Sequence, residues 1–188
     1  MKRLKTYVIS WSGEQELITQ AAKIIAGAML LFAMSQISIP LNPVPINLGS
    51  LAVMIIGLVY DRRSAVYAVM SFLALGAAGV PVFANFSGGF WKLCGPTGGY
   101  LAGYLLAVLA MTSVREYFKA EKIWQLSLIS ILGSALLYTC GIIWLSRFVG
   151  VENSIALGLT PFILPGIVKI FLLAIAISYL KKANYEQR

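Results

Sequence analysis

The run of apolar and polar positions divides the chain into six apolar segments: roughly residues 17–38, 46–60, 63–80, 96–114, 124–148 and 161–180. A helix crossing the hydrocarbon core of a bilayer needs about 20 residues, and all but the second segment reach or approach that length. None alternates with the period of two that marks a barrel strand. The pattern predicts an all-α, polytopic membrane protein of six transmembrane helices, a single domain over residues 1–188 with no linker or low-complexity stretch. The second segment is short: its residues rise about 22 Å against a hydrocarbon core of about 30 Å. Before it comes PLNPVPIN, Pro40 to Asn47, where three prolines in eight residues preclude a regular helix. Irregular backbone at membrane depth is tolerated where protein buries it or a wet cavity receives it. This run therefore predicts a site.

Charge orients the segments. Lys2, Arg3 and Lys5, then Arg62 and Arg63, then Arg115, Lys119 and Lys122, then Lys181, Lys182 and Arg188 fall at one set of segment ends, and only Lys92 and Arg147 at the other. The positive-inside rule then makes both termini cytoplasmic and turns PLNPVPIN outward. The chain is 59% hydrophobic and 12% charged, too apolar for a soluble domain of this length. Its net charge of +8 is thus a topology signal; no nucleic acid is expected as a partner, and the lipid bilayer is. The start, MKRLKTYVISWSGEQEL, lacks a continuous apolar core of signal-peptide length and reads as mature chain, with Tyr7, Val8, Ile9 and Trp11 at the interface.

There is no histidine, and Cys94 and Cys140 form no CxxC pair. A His–Cys metal site and a Ser-His-Asp triad are excluded, and the cysteines read as packing thiols. No paired acids fall inside the segments, so general acid–base chemistry has few candidates. No enzymatic activity, metal or cofactor is expected.

Three stretches carry candidate chemistry. Lys169, in PFILPGIVKIFLLAIAISYL, lies about 12 Å of helix rise into the last segment, a functional candidate by default. None of the acidic residues falls within an outer half-helix. Either an anionic or hydrogen-bonding ligand meets Lys169, or it snorkels to headgroups or bonds backbone carbonyls. Lys23 reads as a snorkelling anchor. In LCGPTGGYLAGYLLAVLA, Gly95 is the expected N-cap and Pro96 the first helical residue, leaving N–H groups of Thr97 and Gly98 as an anion site. Gly99 and Gly103 continue a small-residue stripe suited to helix packing. In FANFSGGFWK, Phe83, Phe86, Phe90 and Trp91 surround Asn85, whose amide both donates and accepts. Ala22, Ala26 and Ala33 give the first helix a small-residue stripe that can dock another helix or pack internally.

Together, NPVPINLGSLAVMIIGLVYDRR and LALGAAGVPVFANFSGGFWKLCGPTGGYLAGY resemble the biotin-specific substrate-binding (S) components of energy-coupling factor transporters, the BioY family. A PVP run, a GxPVFA segment and a GPTGGY helix start occur in that order at compatible spacing. The resemblance implies a six-helix membrane subunit that captures biotin at the outer face. Loops after helices 1 and 3 would cover the ligand, with Asn85 near its ureido ring and Lys169, Phe83, Trp91, Asn47, Thr97 and Gly98 as further ligand-binding candidates. It implies docking, through Ala22, Ala26 and Ala33, on a transmembrane coupling protein and two cytoplasmic ATPase subunits. The chain departs from the family pattern in helix 6, where Gly166 stands in the aspartate position of PFxPGDxxK. It departs again at PVPxTLQ, where Asn47 and Gly49 replace Thr and Gln. Asn47 could supply a compensating acceptor. The alternative reading is a stand-alone secondary transporter for biotin or a related small vitamin precursor. Ion coupling ordinarily uses intramembrane carboxylates, and the segments hold none.

Overall fold

Apolar runs free of proline fold as helices, and the two proline- and glycine-rich stretches fold as loops gathered at one end of the helices. The computed structural model describes residues 2–170 and 173, with side chains from residue 15 onward. The side chains of the expected interfacial Tyr7, Val8, Ile9 and Trp11 and of the cations Lys2, Arg3 and Lys5 are not among those described, and the terminal cations Lys181, Lys182 and Arg188 lie outside the described residues.

In chain order the elements are α1 (Lys2–Gln36), β1 (Ser38–Ile39), β2 (Ile46–Asn47), α2 (Gly49–Val59), α3 (Arg62–Ala77), a 3-10 turn (Ala84–Phe86), α4 (Phe90–Cys94), α5 (Gly98–Tyr117), α6 (Ile123–Val149) and α7 (Val151–Gly158). After a break at Leu159 the helix resumes over 160–170, here α8. The protein is mostly helical, with the short β1–β2 pair as its departure from an all-α fold.

Among the described residues, three stretches are long and apolar enough to cross a membrane: Gln15–Gln36, Ile123–Val149 and Val151–Ile170. The others differ from the expected segments in length or polarity. α2 has 11 residues and α3 has 16, while α5 carries Arg115 and Glu116 in its last turn. The start of the chain is helical from Lys2, and the stretch read as a loop after residue 148 is largely α7.

The core is built from Leu31, Ile56, Val69, Phe72, Val108, Leu137 and Leu145, all essentially inaccessible. Large side chains such as Ile25, Met29, Leu128, Ile143 and Ile167 point outward, the inverse of a soluble surface. α5 packs on α6 through its glycines: a Cβ on Gly99 would lie 2.2 Å from Trp144 Cβ, and one on Gly103 would lie 2.9 Å from Leu137 O. The expected packing role of this stripe is what the structure shows.

At the end away from the loops, Arg115 donates to the carbonyls of Leu58 and Tyr60, closing the end of α2. Asp61 caps α3 by accepting from Ser64 N–H at 3.0 Å and pairs with Lys23 at 3.4 Å. Lys23, expected to snorkel, is instead half of this exposed ion pair.

Candidate functional site

The proline run does not form helix; it folds back. β1 and β2 pair antiparallel, Ser38 opposite Asn47 and Ile39 opposite Ile46, so the chain between them closes as a clasp with Val44 buried beneath it. On the other side, Phe83 and Ser87 exchange two backbone hydrogen bonds of 2.9 and 3.3 Å, and Phe83 meets Phe72 edge-on at 5.5 Å. Gln36, the last residue of α1, ties the end of that helix to this second loop. Its Nε2 donates to Val82 O at 3.1 Å and Phe83 O at 3.2 Å, and its Oε1 accepts from Phe86 N–H at 2.8 Å. A second tie is Ser38 Oγ, which donates to Asn85 Oδ1 at 2.7 Å. Asn85 has φ 59°, a left-handed conformation that asparagine tolerates better than most residues.

These loops cover a cavity of about 180 Å³. Its loop end is lined by Pro43, Val44, Phe83, Asn85, Lys92 and Thr97, and its helix end by Asn47, Ser50, Tyr100, Tyr104, Tyr138 and Phe162. The wall combines aromatic and aliphatic side chains with many polar groups, Ser35, Asn42, Asn47, Ser50, Asn85 and Thr97 among them. Among the described residues no cluster of His, Cys, Asp or Glu could hold a metal.

Lys169 is only 3% exposed. Its Nζ donates to Asn47 O at 2.6 Å and to Ser50 Oγ at 2.8 Å. It therefore does not snorkel; it bonds a carbonyl, and it stands behind the cavity wall made by those two residues. Asn47 is held on three sides. Its backbone carbonyl receives Lys169, and its Oδ1 accepts from Gly49 N–H at 2.8 Å and from Tyr104 Oη at 3.4 Å. The expected compensating acceptor is thus already engaged. Tyr138 Oη is buried without a hydrogen bond, its neighbour Ser50 receiving Lys169. The helix end of the cavity is rich in donors and, among the described residues, contains no carboxylate.

The start of α5 differs from the expectation. The N-cap is Thr97, not Gly95, because Gly95 to Thr97 form a turn in which Gly98 N–H already bonds Gly95 O at 3.0 Å. Gly98 is buried outside the cavity lining, where a Cβ would lie 1.8 Å from Leu93 O. Its glycine serves the close approach of α4 and α5. Trp91 also falls outside the lining and is 65% exposed, but Lys92 Nζ lies 4.7 Å from its ring centroid. Asn85, Phe83, Asn47 and Thr97 come together in the cavity; Lys169 reaches it through Asn47 and Ser50. Ala22, Ala26 and Ala33 are exposed along α1.

Sequence reasoning missed Gln36, Ser38, Ser50, Tyr104 and Tyr138. The available signal was a hydroxyl or amide inside an apolar segment, which does not reveal which way it faces.

Comparison with known proteins places the chain in one family. The BioY family model matches residues 4–186. A protein of Rickettsia prowazekii (strain Madrid E) named "Probable biotin transporter BioY" is 38% identical over 164 residues, 87% of this chain and 84% of its own. The "Biotin transporter BioY" of Thermotoga maritima is 36% identical over 152 residues, 80% and 89% of the two chains. The crystal structure of the S-component for biotin from an ECF-type ABC transporter superposes with a TM-score of 0.75 at 26% identity, covering 91% of this chain and 93% of that one.

Proposed function

The chain belongs to the BioY family, and from that premise we propose that it is the substrate-binding membrane subunit of an energy-coupling factor transporter, with biotin as its ligand. The observation that carries this reading is the loop-covered cavity. It is lined by the same stretches, PVPIN, PVFANFS and the tyrosines of GPTGGYLAGY, that carry the family resemblance. Its size suits a small molecule rather than a peptide.

The working cycle follows from the clasp. With the Gln36 and Ser38 ties open, biotin enters from the loop end. Remaking them encloses it, with the ring system against Tyr100, Tyr104 and Phe162 and the ureido oxygen facing the Asn47, Asn85 and Tyr138 donors. Six helices cross the bilayer with both termini cytoplasmic. Supporting that orientation, Arg62, Arg63, Arg115, Lys119 and Lys122 gather at the end opposite the loops. The exposed Ala22, Ala26 and Ala33 offer a smooth face to a transmembrane coupling protein, which with two cytoplasmic ATPases supplies the energy. On docking, the subunit tips so that its loop end releases biotin inward.

The test is calorimetric titration of the purified protein with biotin in the absence of ATP. Saturable binding of one biotin per chain is expected; no binding at micromolar biotin overturns the proposal.

A further inference from the structure

Among the described residues, Lys92 is the one charged side chain lining the cavity. It lies on α4, in the loop that covers the ligand, and is half-buried. Among the described residues it forms no ion pair; the one present joins Lys23 to Asp61. Its ammonium rests on the exposed Trp91 ring, 4.7 Å from the centroid, a contact that holds the cation at the rim without neutralising it. The opposite end of the cavity is uncharged, made of Asn47, Ser50, Tyr104 and Tyr138. The other nearby cation, Lys169, is spent on Asn47 O and Ser50 Oγ. The cavity is thus polarised, with neutral donors deep and a single uncompensated cation at the rim. A ligand with a neutral hydrogen-bonding head and one anionic tail fits in one direction only.

We propose that Lys92 receives the carboxylate of the bound ligand and so makes the protein select the free acid over its neutral amides and esters. This rests on the biotin reading above and names the contact that fixes its tail. The carboxylate meets a cation that water still reaches, so the attraction is moderate and screened by salt.

The experiment titrates biotin and biotinamide, its neutral carboxamide, into the purified wild-type protein and the Lys92→Gln and Lys92→Arg variants at low and high salt. Expected is about a tenfold preference of the wild type for the acid at low salt, narrowing at high salt. Lys92→Gln should bind both compounds with the affinity that the wild type has for the amide, which also shows that it is folded. Lys92→Arg should keep the preference. An undiminished preference in Lys92→Gln overturns the assignment and moves the carboxylate to another donor. Equal binding of acid and amide by the wild type also overturns it. Both outcomes leave the biotin reading intact, whereas binding of neither compound by the wild type removes both.

Discussion

Gly166 lies on the same face of α8 as Lys169, which bonds Asn47 and Ser50, three residues further on. A Cβ at Gly166 would meet only Tyr138 Oη, at an ordinary 3.8 Å. The position thus has room for a side chain, and the nearest group is the phenol that lacks a hydrogen bond. Gly166→Asp should place an acceptor against Tyr138 Oη, next to a buried lysine, and supply the carboxylate expected from the family pattern for a ureido N–H. A buried carboxylate is costly alone but much less so beside a cation with hydrogen-bond donors. Biotin affinity should rise about five- to tenfold; unchanged or weaker binding would mean that the donor-rich pocket recognises biotin without a carboxylate. Lys169→Met tests the other half of this pair. It leaves Asn47 O without its donor, at a cost of about 1–3 kcal/mol, on a residue that lines the cavity. Biotin binding should weaken by roughly tenfold or more, with faster hydrogen exchange over residues 37–48 as the sign that the clasp has loosened. A loss of affinity without faster exchange would instead make Lys169 a direct contact.

At the scale of elements, the clasp is assembled by one residue at the end of α1. Gln36→Leu removes two donors from the carbonyls of Val82 and Phe83 and the acceptor from Phe86 N–H. Each hydrogen bond contributes about 0.5–1.5 kcal/mol net, and all of them join the end of α1 to the covering loop at residues 82–86. Stopped-flow measurements should show biotin release accelerated about tenfold or more with association little changed. Equal slowing of both steps would point to a distorted pocket. The elements that sequence made legible are those set by local chemistry. Prolines kept Pro40 to Asn47 out of a helix, glycine spacing announced the α5–α6 contact, and a lone cation in an apolar run marked Lys169. What stayed hidden depends on distant partners. Lys169 bonds Asn47 across 122 positions, and Gln36 reaches Val82 across 46, which no local pattern encodes. The start of α5 was misread for the same reason. Gly95-Pro96 is a sound local helix start, but Leu93 O and α4 crowd Gly98 and turn the chain before the helix can begin.

At the scale of the whole molecule, α1 has one face packed inward and one left open. Gly27, Leu31 and Ser35 turn inward, and a Cβ on Gly27 would sit 2.8 Å from Ala68 Cβ. Ala22, Ala26 and Ala33 turn outward, where internal packing makes no use of their smallness. In a bilayer, lipid tails accept a large side chain as readily as a small one, so an exposed alanine stripe matters chiefly when another helix must come close. The cavity lies at the loop end and Ala22 toward the other end, so the proposed binding and docking sites can be tested separately. Ala22→Leu combined with Ala26→Leu should leave the biotin dissociation constant within about twofold of wild type, because neither residue lines the cavity. Co-expressed with a coupling protein and its two ATPases, the same variant should lose most ATP-driven biotin uptake and co-purify poorly with the coupling protein, since each leucine adds three carbons where a helix must approach within van der Waals contact. Undiminished uptake would move the docking face away from this stripe, and lost biotin binding would show that α1 transmits its outer packing to Gln36 and the clasp.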